Sequence, residues 1–208
     1  MISVSQFAHP LIGSPIKASA VIRLLICLLV LSGCATKAPQ IEDSLLRNAL
    51  AGNVQAQYEI GIKYNKAGRA GWGKTEYVEE AARWFELTAG QGDARAQYQL
   101  SQYYFNARKD YSRSFALTQS AAQQGLADAQ YYLGMHFAQA WGTEQNLVLA
   151  YKWIALANDG GIKGGGLADV EWLVWKGKMT ADQTAEGQRL TEAHTRKYGK
   201  STPIQLFR

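Results

Sequence analysis

The sequence predicts an all-α protein, an α-solenoid of about three helix-turn-helix repeats followed by a C-terminal helical cap. The main observation is an internal repeat, in which a glycine is followed, at the fourth residue, by Ala-Gln-Tyr. The three copies are Gly52 with residues 56–58, Gly92 with residues 96–98, and Gly125 with residues 129–131. Apolar residues between the copies recur at intervals of three and four, which is the period of one helical face.

Residues 1–33 are expected to be a secretory signal peptide that is removed from the mature protein. Two basic residues, Lys17 and Arg23, precede the apolar run 24–31. A run of this length is too short to span a bilayer as a helix. The segment therefore predicts export and not a transmembrane anchor.

The end of this segment, Leu-Ser-Gly-Cys at 31–34, resembles the lipobox of bacterial lipoproteins. The resemblance implies that Cys34 becomes the first mature residue and carries acyl chains that hold a soluble domain on a membrane. Ala35 in place of Asp implies an outer-membrane location facing the periplasm, and residues 34–43 would form a tether. The alternatives are a plain signal cleaved near Ala35 and a buried apolar helix.

The composition argues against nucleic-acid binding and against a disulfide framework. The chain has 22 Lys and Arg and 17 Asp and Glu, and loss of residues 1–33 removes two basic side chains and leaves a net charge of +3. No basic run interleaved with aromatic residues occurs in the sequence, so nucleic acid is not an expected partner. Cys27 would leave with the signal and Cys34 would be lipidated, so no thiol pair remains.

Each repeat predicts a pair of helices. In the first copy Ala56, Ile60 and Tyr64 mark the first helix, and Ala82 and Phe85 mark the second. The third copy is the most regular, and its matching residues are Ala129, Gln130, Leu133, Gly134, Phe137, Gly142, Ala150, Trp153, Ala157 and Gly161. This pattern resembles the Sel1-like repeat, a relative of the tetratricopeptide repeat. The resemblance covers roughly residues 49–161, and the repeat domain is placed at 44–161.

The other two copies depart from the third in their loops. The first carries four extra loop residues, and the second lacks three. The second copy also has Ser101 where the pattern has glycine and Leu117 where it has tryptophan. What the resemblance implies is a stack of helix pairs with a concave surface for binding other proteins.

Residues 162–208 are assigned to a C-terminal helical cap and tail. Gly164, Gly165 and Gly166 would each weaken a helix by about 1 kcal/mol relative to alanine, so the segment is interpreted as a loose connection. A helix is expected at 167–175. A closing helix is expected to begin after Thr180, the predicted N-cap, and to reach at least Glu192.

Residues 68–75 match the phosphate-loop pattern G-x-x-x-x-G-K-T. A phosphate loop follows a β-strand, whereas this segment follows the helical pattern of residues 55–66. It is interpreted as the turn between two helices, and neither a nucleotide nor any other cofactor is expected.

Catalytic patterns are sparse. Only His136 and His194 remain after removal of the signal, and no Ser, Cys or metal motif of known hydrolases occurs in the sequence. The chain is therefore expected not to be an enzyme and not to bind a metal. Hydrolysis of cell-wall material is a weaker alternative, which would require acidic residues clustered in a groove.

A candidate partner-binding strip comes from first-helix positions that the repeat pattern leaves free. These positions are spaced at i, i+3 and i+4 and are expected to line one exposed strip. The strip residues are Glu59, Ile62 and Lys63 in the first copy, Gln99, Gln102 and Tyr103 in the second, and Tyr132, Met135 and His136 in the third. Tyr132 and Met135 are the expected hot spots, and the alternative is that the nine residues make contacts between repeats or simply face solvent.

Trp72 and Trp141 form a second candidate, because both precede a glycine in the turn between paired helices. An exposed tryptophan is an efficient contact residue. The favoured interpretation is nevertheless that each ring folds back and plugs the end of its helix pair.

These observations predict a non-catalytic protein-binding module in the bacterial envelope, a scaffold or assembly factor whose partner is another envelope or secreted protein. Proteins of similar sequence also act as periplasmic immunity proteins that neutralise a secreted toxin such as a phospholipase. The sequence leaves these two roles open.

Overall fold

The structure is a computed structural model that describes residues 39–70, 75–161 and 178–202. The predictions on the signal peptide, on Cys34, on Trp72 and on a helix at 167–175 lie outside these residues. Within the described ranges no helix is long and apolar enough to cross a membrane.

The described residues form α-helices joined by short turns, and the predicted fold class is confirmed. The helices are α1 (Asp43–Leu50), α2 (Val54–Ala70), α3 (Thr75–Ala89), α4 (Ala94–Tyr103), α5 (Tyr111–Gln123), α6 (Ala127–Gln139), α7 (Leu147–Asp159) and α8 (Ala181–Tyr198). The three repeats are the pairs α2–α3, α4–α5 and α6–α7, and each pair packs against the next. The short helix α1, which the repeat pattern did not predict, packs on α2, and α8 packs on α7.

The repeating glycine has the same backbone conformation after α1 and after the second helix of each repeat. Gly52, Gly92, Gly125 and Gly161 have φ angles of 91°, 89°, 84° and 82°. Because a side chain is strained in this left-handed region, glycine is the residue that ends a helix and turns the chain toward the next one. This requirement explains why the glycine repeats in register with Ala-Gln-Tyr.

The residue after the glycine caps the following helix in the first two repeats. The Oδ1 atom of Asn53 accepts a hydrogen bond from the amide of Ala56 at 2.9 Å. Asp93 Oδ1 accepts bonds from the amides of Arg95 and Ala96 at 2.8 and 3.1 Å. These side chains satisfy amides that have no partner within the helix.

The predicted N-cap of the closing helix is confirmed. The hydroxyl of Thr180 accepts from the amide of Gln183, and the side chain of Gln183 accepts from the amide of Thr180, which completes a capping box. The helix runs to Tyr198, six residues beyond Glu192.

Glycine also permits close approach of the two helices within a repeat. A Cβ atom built on Gly134 of α6 would lie 2.5 Å from Cγ1 of Ile154 and 3.0 Å from the carbonyl oxygen of Ala150. A Cβ built on Gly61 of α2 would lie 2.6 Å from the ring of Phe85. The small residue of the repeat is therefore a packing requirement, which Ser101 meets in the second repeat while fully buried.

The glutamine of each Ala-Gln-Tyr triplet is buried, and its side-chain oxygen accepts a hydrogen bond. Gln57 accepts from the side chain of Gln91 at 2.7 Å, and Gln97 accepts from the side chain of Gln124 at 2.8 Å. Gln91 and Gln124 each stand directly before a helix-ending glycine. The residue at this position in the third repeat is Gly160, which has no side chain to donate.

The C-terminal tail provides the hydrogen-bond donor that the third repeat lacks. The hydroxyl of Ser201 donates to the side chain of Gln130, as Gln91 donates to Gln57 and Gln124 to Gln97 in the first two repeats. The Cβ atom of Ser201 lies 2.8 Å from where a Cβ on Gly160 would be, so the glycine leaves room for the tail. Leu126, which stands where Asn53 and Asp93 cap their helices, makes no side-chain cap.

The backbone of the tail also takes over the missing cap. The carbonyl of Thr202 accepts from the amide of Ala127 at 2.8 Å, and the amide of Thr202 donates to the carbonyl of Gly125 at 2.9 Å. These bonds form an isolated parallel bridge between Leu126 and Thr202. The tail therefore closes the third repeat from outside it.

Candidate interaction surface

The nine predicted strip residues lie in the first helices of the three repeats, but none of them is fully exposed. Ile62 and Tyr103 pack against one core cluster and Met135 against another. Lys63 forms an ion pair with Glu42, with a distance of 3.5 Å from Nζ to Oε1. Most of the strip is half-buried between neighbouring side chains.

Several strip residues join one repeat to the next. The side-chain oxygen of Gln99 accepts from the amide nitrogen of Asn65 at 3.3 Å, which links α4 to α2. The ring of Tyr132 lies 5.6 Å from that of Tyr98, which links α6 to α4. Burial raises the pKa of the Tyr98 hydroxyl, so this ring stays neutral at physiological pH. Gln99 and Tyr132 therefore make contacts between repeats, which was the alternative to an exposed binding strip.

The expectation of exposure is wrong for His136. This residue is only 1% exposed, and it lies among the rings of Phe105, Phe115 and Trp141 at centroid distances of 5.8, 5.8 and 6.1 Å. Its Nδ1 atom is 2.6 Å from the carbonyl oxygen of Trp141, and its Nε2 atom is 3.3 Å from the hydroxyl of Ser114. Because a carbonyl can only accept, Nδ1 carries the proton and Nε2 accepts from Ser114.

Burial lowers the pKa of His136, and the bond to the Trp141 carbonyl opposes this shift only in part. A histidine beside a serine is an arrangement that nucleophilic hydrolases use. Here Ser114 has 0% exposure, so a substrate cannot reach its hydroxyl in this structure. The hydrogen bond between Ser114 and His136 therefore belongs to the packing of the core.

The ring of Trp141 contacts Phe105 of the second repeat and His136 of its own repeat. Its ring lies 4.8 Å from that of Phe105 and is half-buried. Trp72, the other member of the predicted pair, lies outside the described residues. The prediction of a turn over residues 68–75 is wrong for 68–70, which belong to α2, and for Thr75, which begins α3. Residues 71–74 lie outside the described residues. The match to the phosphate-loop pattern therefore follows a helix and not a β-strand.

A network of tyrosine, arginine and glutamate side chains lies beside the strip. Of its residues, the sequence analysis predicted a binding role only for Tyr103. The Tyr103 hydroxyl donates to Glu79 at 2.6 Å and accepts from Arg108 at 2.5 Å, while Arg108 pairs with Glu79 at 2.8 Å. Next to it, the Tyr104 hydroxyl donates to Glu86 and accepts from Arg113, both at 3.2 Å.

This network depends on a π-helical turn, Tyr104–Arg108, at the end of α4. The turn ends at Lys109, whose φ is 55°, and Asp110 then caps α5. The second repeat thus replaces its three missing loop residues with a widened helical turn, a feature often found at functional sites. The shortened loop was visible in the sequence, but the π-turn was not.

A shallow groove of about 260 Å³ between α7 and α8 contains two carboxylates, Asp159 and Glu192. Both residues are exposed. A carboxyl group that acts as a general acid needs a desolvated site, which an open groove does not provide. In the described part of the chain, no group of three or more His, Cys, Asp or Glu residues could hold a metal ion.

A cationic and aromatic cluster occupies the contact between α7 and α8. It comprises Lys152, Trp153, His194, Lys197 and Tyr198. The ring of His194 lies 5.4 Å from that of Trp153 and 4.7 Å from that of Tyr198. The Nζ atoms of Lys152 and Lys197 lie 4.4 Å from the Trp153 centroid and 4.9 Å from the Tyr198 centroid, respectively.

No family model matches the chain. A putative sel1-like repeat-containing protein, L21, from Acanthamoeba polyphaga mimivirus is 36% identical over 81 residues, which are 39% of this chain and 13% of that protein. The crystal structure of c5321, a protective antigen present in uropathogenic Escherichia coli strains and displaying an SLR fold, matches with a TM-score of 0.58 at 22% identity over 90% of this chain and 46% of that one. The crystal structure of a Sel1 repeat protein from Oxalobacter formigenes matches with a TM-score of 0.50 at 29% identity over 72% of this chain and 96% of that one.

The chain spans less than half of the length of the first two of these proteins. Three helix pairs in series, with turns that close on glycines in the left-handed region, define a helical-repeat solenoid, a class whose surfaces bind other proteins. The Ala-Gln-Tyr register and the likeness to known Sel1 structures identify the chain more closely. It has the fold of Sel1-like repeat proteins.

Proposed function

We propose that this chain is a non-catalytic protein-protein interaction module, a scaffold or assembly factor, held in the bacterial envelope by a lipid on Cys34. The observation that carries the proposal is the stack of three helix pairs. Because each pair packs only on its neighbours, such a stack leaves long side surfaces that a partner can occupy. The partner would be another envelope or secreted protein.

The half-buried strip supports this role. Side chains that are held by neighbours lose less conformational freedom when a partner binds, and hot spots are often such pre-positioned aromatic groups. Tyr132 is held between Tyr98 and Tyr131, with ring centroids at 5.6 and 5.5 Å. It therefore remains the best candidate anchor on this strip.

The membrane anchor is supported by the sequence around Cys34. The first described helix begins at Asp43, so the tether between it and Cys34 would reach at most about 30 Å when fully extended. A module on such a tether would stay close to the membrane surface and meet partners embedded there. We place it on the outer membrane, facing the periplasm.

The first test is photochemical crosslinking of the anchored protein in intact cells, followed by mass spectrometry. A specific protein partner should crosslink to the wild type and be lost in Tyr132→Ala/Met135→Ala. Since Met135 packs on the core, Gln102→Glu serves as a second strip variant, and Leu87→Ala, which changes an exposed residue of α3, serves as the matched control.

The proposal fails if no protein crosslinks to the folded, abundant wild type under any growth condition. The strip would be excluded as the binding surface if both strip variants keep the partner. A partner that is a secreted toxin would point to the immunity role and away from a resident scaffold.

The lipid anchor has a separate test. Cys34→Ala should leave the protein unprocessed and without its lipid, and the mature protein should disappear from the outer-membrane fraction. Metabolic labelling with an alkyne fatty acid should mark the wild type only. Labelling of the variant would exclude Cys34 as the lipid site.

A further inference from the structure

Within residues 39–70, 75–161 and 178–202, no ion pair joins a carboxylate to the cationic and aromatic cluster between α7 and α8. The ion pairs of the described residues all lie elsewhere, and they involve Lys63, Arg83, Arg95, Arg108 and Arg189. Lys152 and Lys197 belong to none of them.

The position of Lys152 is not explained by helix electrostatics. A lysine in the last turn of a helix is stabilised by the helix dipole, which accounts for Lys197 near the end of α8. Lys152 lies in the second turn of α7, where the dipole does not favour a cation. It is half-buried, and its contact with the Trp153 ring offsets part of this cost.

Electrostatics within the cluster are unfavourable in the absence of an anion. Burial lowers the pKa of Lys152. Burial also lowers the pKa of His194, and the positive charges of Lys152 and Lys197 lower it further. An anionic group placed among these three side chains would relieve the repulsion.

The cluster also has an open aromatic surface. Tyr198 is 64% exposed, which is the largest exposure among the large hydrophobic and aromatic residues of the described chain. Its ring is stacked against His194 and is therefore held in place. A ring of this kind offers apolar contact directly beside the positive charges.

We propose that this cluster is a docking surface for an acidic segment of a partner protein, with carboxylates seated between Lys152, His194 and Lys197 and an apolar side chain on Tyr198. The proposal rests on the proposed function and adds the chemistry of the partner. A polypeptide is favoured over a lipid surface because it can supply both a carboxylate and an apolar side chain to neighbouring positions. Electrostatic attraction of this kind also speeds association.

The test uses defined probes with the purified, folded protein. The first probe is a short fluorescein-labelled peptide in which glutamates alternate with leucine and tyrosine. Matched peptides carry glutamine or lysine in place of every glutamate, and vesicles of phosphatidylglycerol test the lipid alternative. Fluorescence anisotropy should show binding of the glutamate peptide only, and the affinity should fall as salt is raised.

Variants locate the binding. Lys152→Glu/Lys197→Glu should weaken the glutamate peptide by about tenfold or more, because two attractions become repulsions. Lys152→Met/Lys197→Met keeps the packing on the aromatic rings and should also weaken binding, which guards against a folding defect in the first variant. Arg47→Glu/Lys66→Glu makes the same change in net charge at exposed positions of α1 and α2 and should bind as the wild type does.

The inference is overturned if the glutamate and glutamine peptides bind equally, if the control variant loses as much affinity as the cluster variants, or if only the vesicles bind. A cellular partner that still crosslinks in the Lys152→Glu/Lys197→Glu protein would overturn it while leaving the proposed function intact. Loss of that partner in the cluster variant alone would support it.

Discussion

His136 is a fully buried polar residue whose charge state is fixed by its neighbours. Its two ring nitrogens have partners that suit the neutral form, and three aromatic rings surround it. A proton added to Nε2 would face a hydroxyl that already donates, inside a dry core. The folded protein therefore resists protonation of this side chain.

Stability should consequently decrease at mildly acidic pH. A histidine in an unfolded chain has a pKa of about 6.5, whereas burial lowers the pKa of His136 in the folded state. As pH falls through about 6.5, the unfolded chain binds a proton that the folded chain does not, and the free energy of unfolding falls until the folded pKa is reached. Urea unfolding should therefore give a lower free energy of unfolding at mildly acidic pH than at neutral pH.

His194 contributes with the same sign, because its pKa is also lowered. His136→Gln keeps a donor for the Trp141 carbonyl but does not titrate, so its stability should depend less steeply on pH than that of the wild type. His194→Gln should reduce the slope independently, and the double variant should be the flattest. An unchanged slope in His136→Gln would show that the pKa of His136 is the same in the folded and unfolded states.

Gly134 offers a second prediction for a single residue. In Gly134→Ala the new methyl group would press on Ile154 and on the backbone of α7, which cannot move as a side chain can. We expect a loss of about 1–3 kcal/mol in the free energy of unfolding, as for other overpacked cores. Gly90→Ala, at an exposed turn position, is the control and should be nearly neutral. Equal stability of the two variants would mean that α6 and α7 are less closely packed than described.

At the scale of elements, the sequence predicted the helix pairs well because their rules are local. A left-handed glycine, a capping side chain and an apolar period each act within a few residues. The glycines mark where α3, α5 and α7 end, and the capping side chains mark where α2 and α4 begin. The burial of His136 could not be predicted in the same way. It depends on Phe105 and Phe115 from the preceding repeat, whose positions follow from the π-turn in a shortened loop.

The role of the tail escaped prediction for a related reason. Leu126 and Gly160 are departures from the repeat, and taken alone each is simply an irregularity. Their common explanation is a contact with Ser201 and Thr202, which are distant in sequence. Two positions at which one repeat lacks a polar group therefore point to a segment that provides it.

Removal of the tail should expose this dependence. A chain that ends at Gly199 loses the cap on α6 and the partner of Gln130, and we expect it to be destabilised by about 2 kcal/mol. Hydrogen exchange of the amides of residues 127–129 should speed up more than that of α4.

Ser201→Ala in the complete chain separates the side-chain bond of the tail from its backbone bonds, because it removes only the donor to Gln130. We expect it to cost about 1 kcal/mol. If it costs as much as the truncation, the backbone bonds of Thr202 do not contribute. Asp93→Ala provides the reference value for loss of one cap.

At the scale of the whole molecule, the buried apolar residues of the part of the chain that the structure describes form three clusters and not a single core. One cluster joins α1 to the first repeat, the second spans the first two repeats, and the largest covers the third repeat with parts of its neighbours. Each cluster contacts only elements that are near it in sequence. Stability is therefore expected to be a sum over neighbouring repeats, with weak coupling between the ends.

This arrangement predicts that a destabilising substitution in one repeat lowers the local stability mainly of that repeat and its neighbours. Phe85 is buried in the second cluster, where its ring packs 5.9 Å from that of Tyr58. Phe85→Ala should cost about 3–5 kcal/mol locally. Native-state hydrogen exchange should then show a large loss of protection in α2 and α3, a smaller one in α4, and little in α6 and α7.

The mirror experiment uses the other end of the stack. Ile154→Ala in α7 removes a fully buried side chain of the largest cluster and should affect α6 and α7 first. Uniform loss of protection throughout the chain in both variants would contradict the nearest-neighbour picture and indicate a single cooperative unit. A graded response would mean that a partner bound at one end stabilises mainly the repeats it touches, so that the acidic segment proposed for the α7–α8 cluster should protect the third repeat and leave α2 and α3 unchanged.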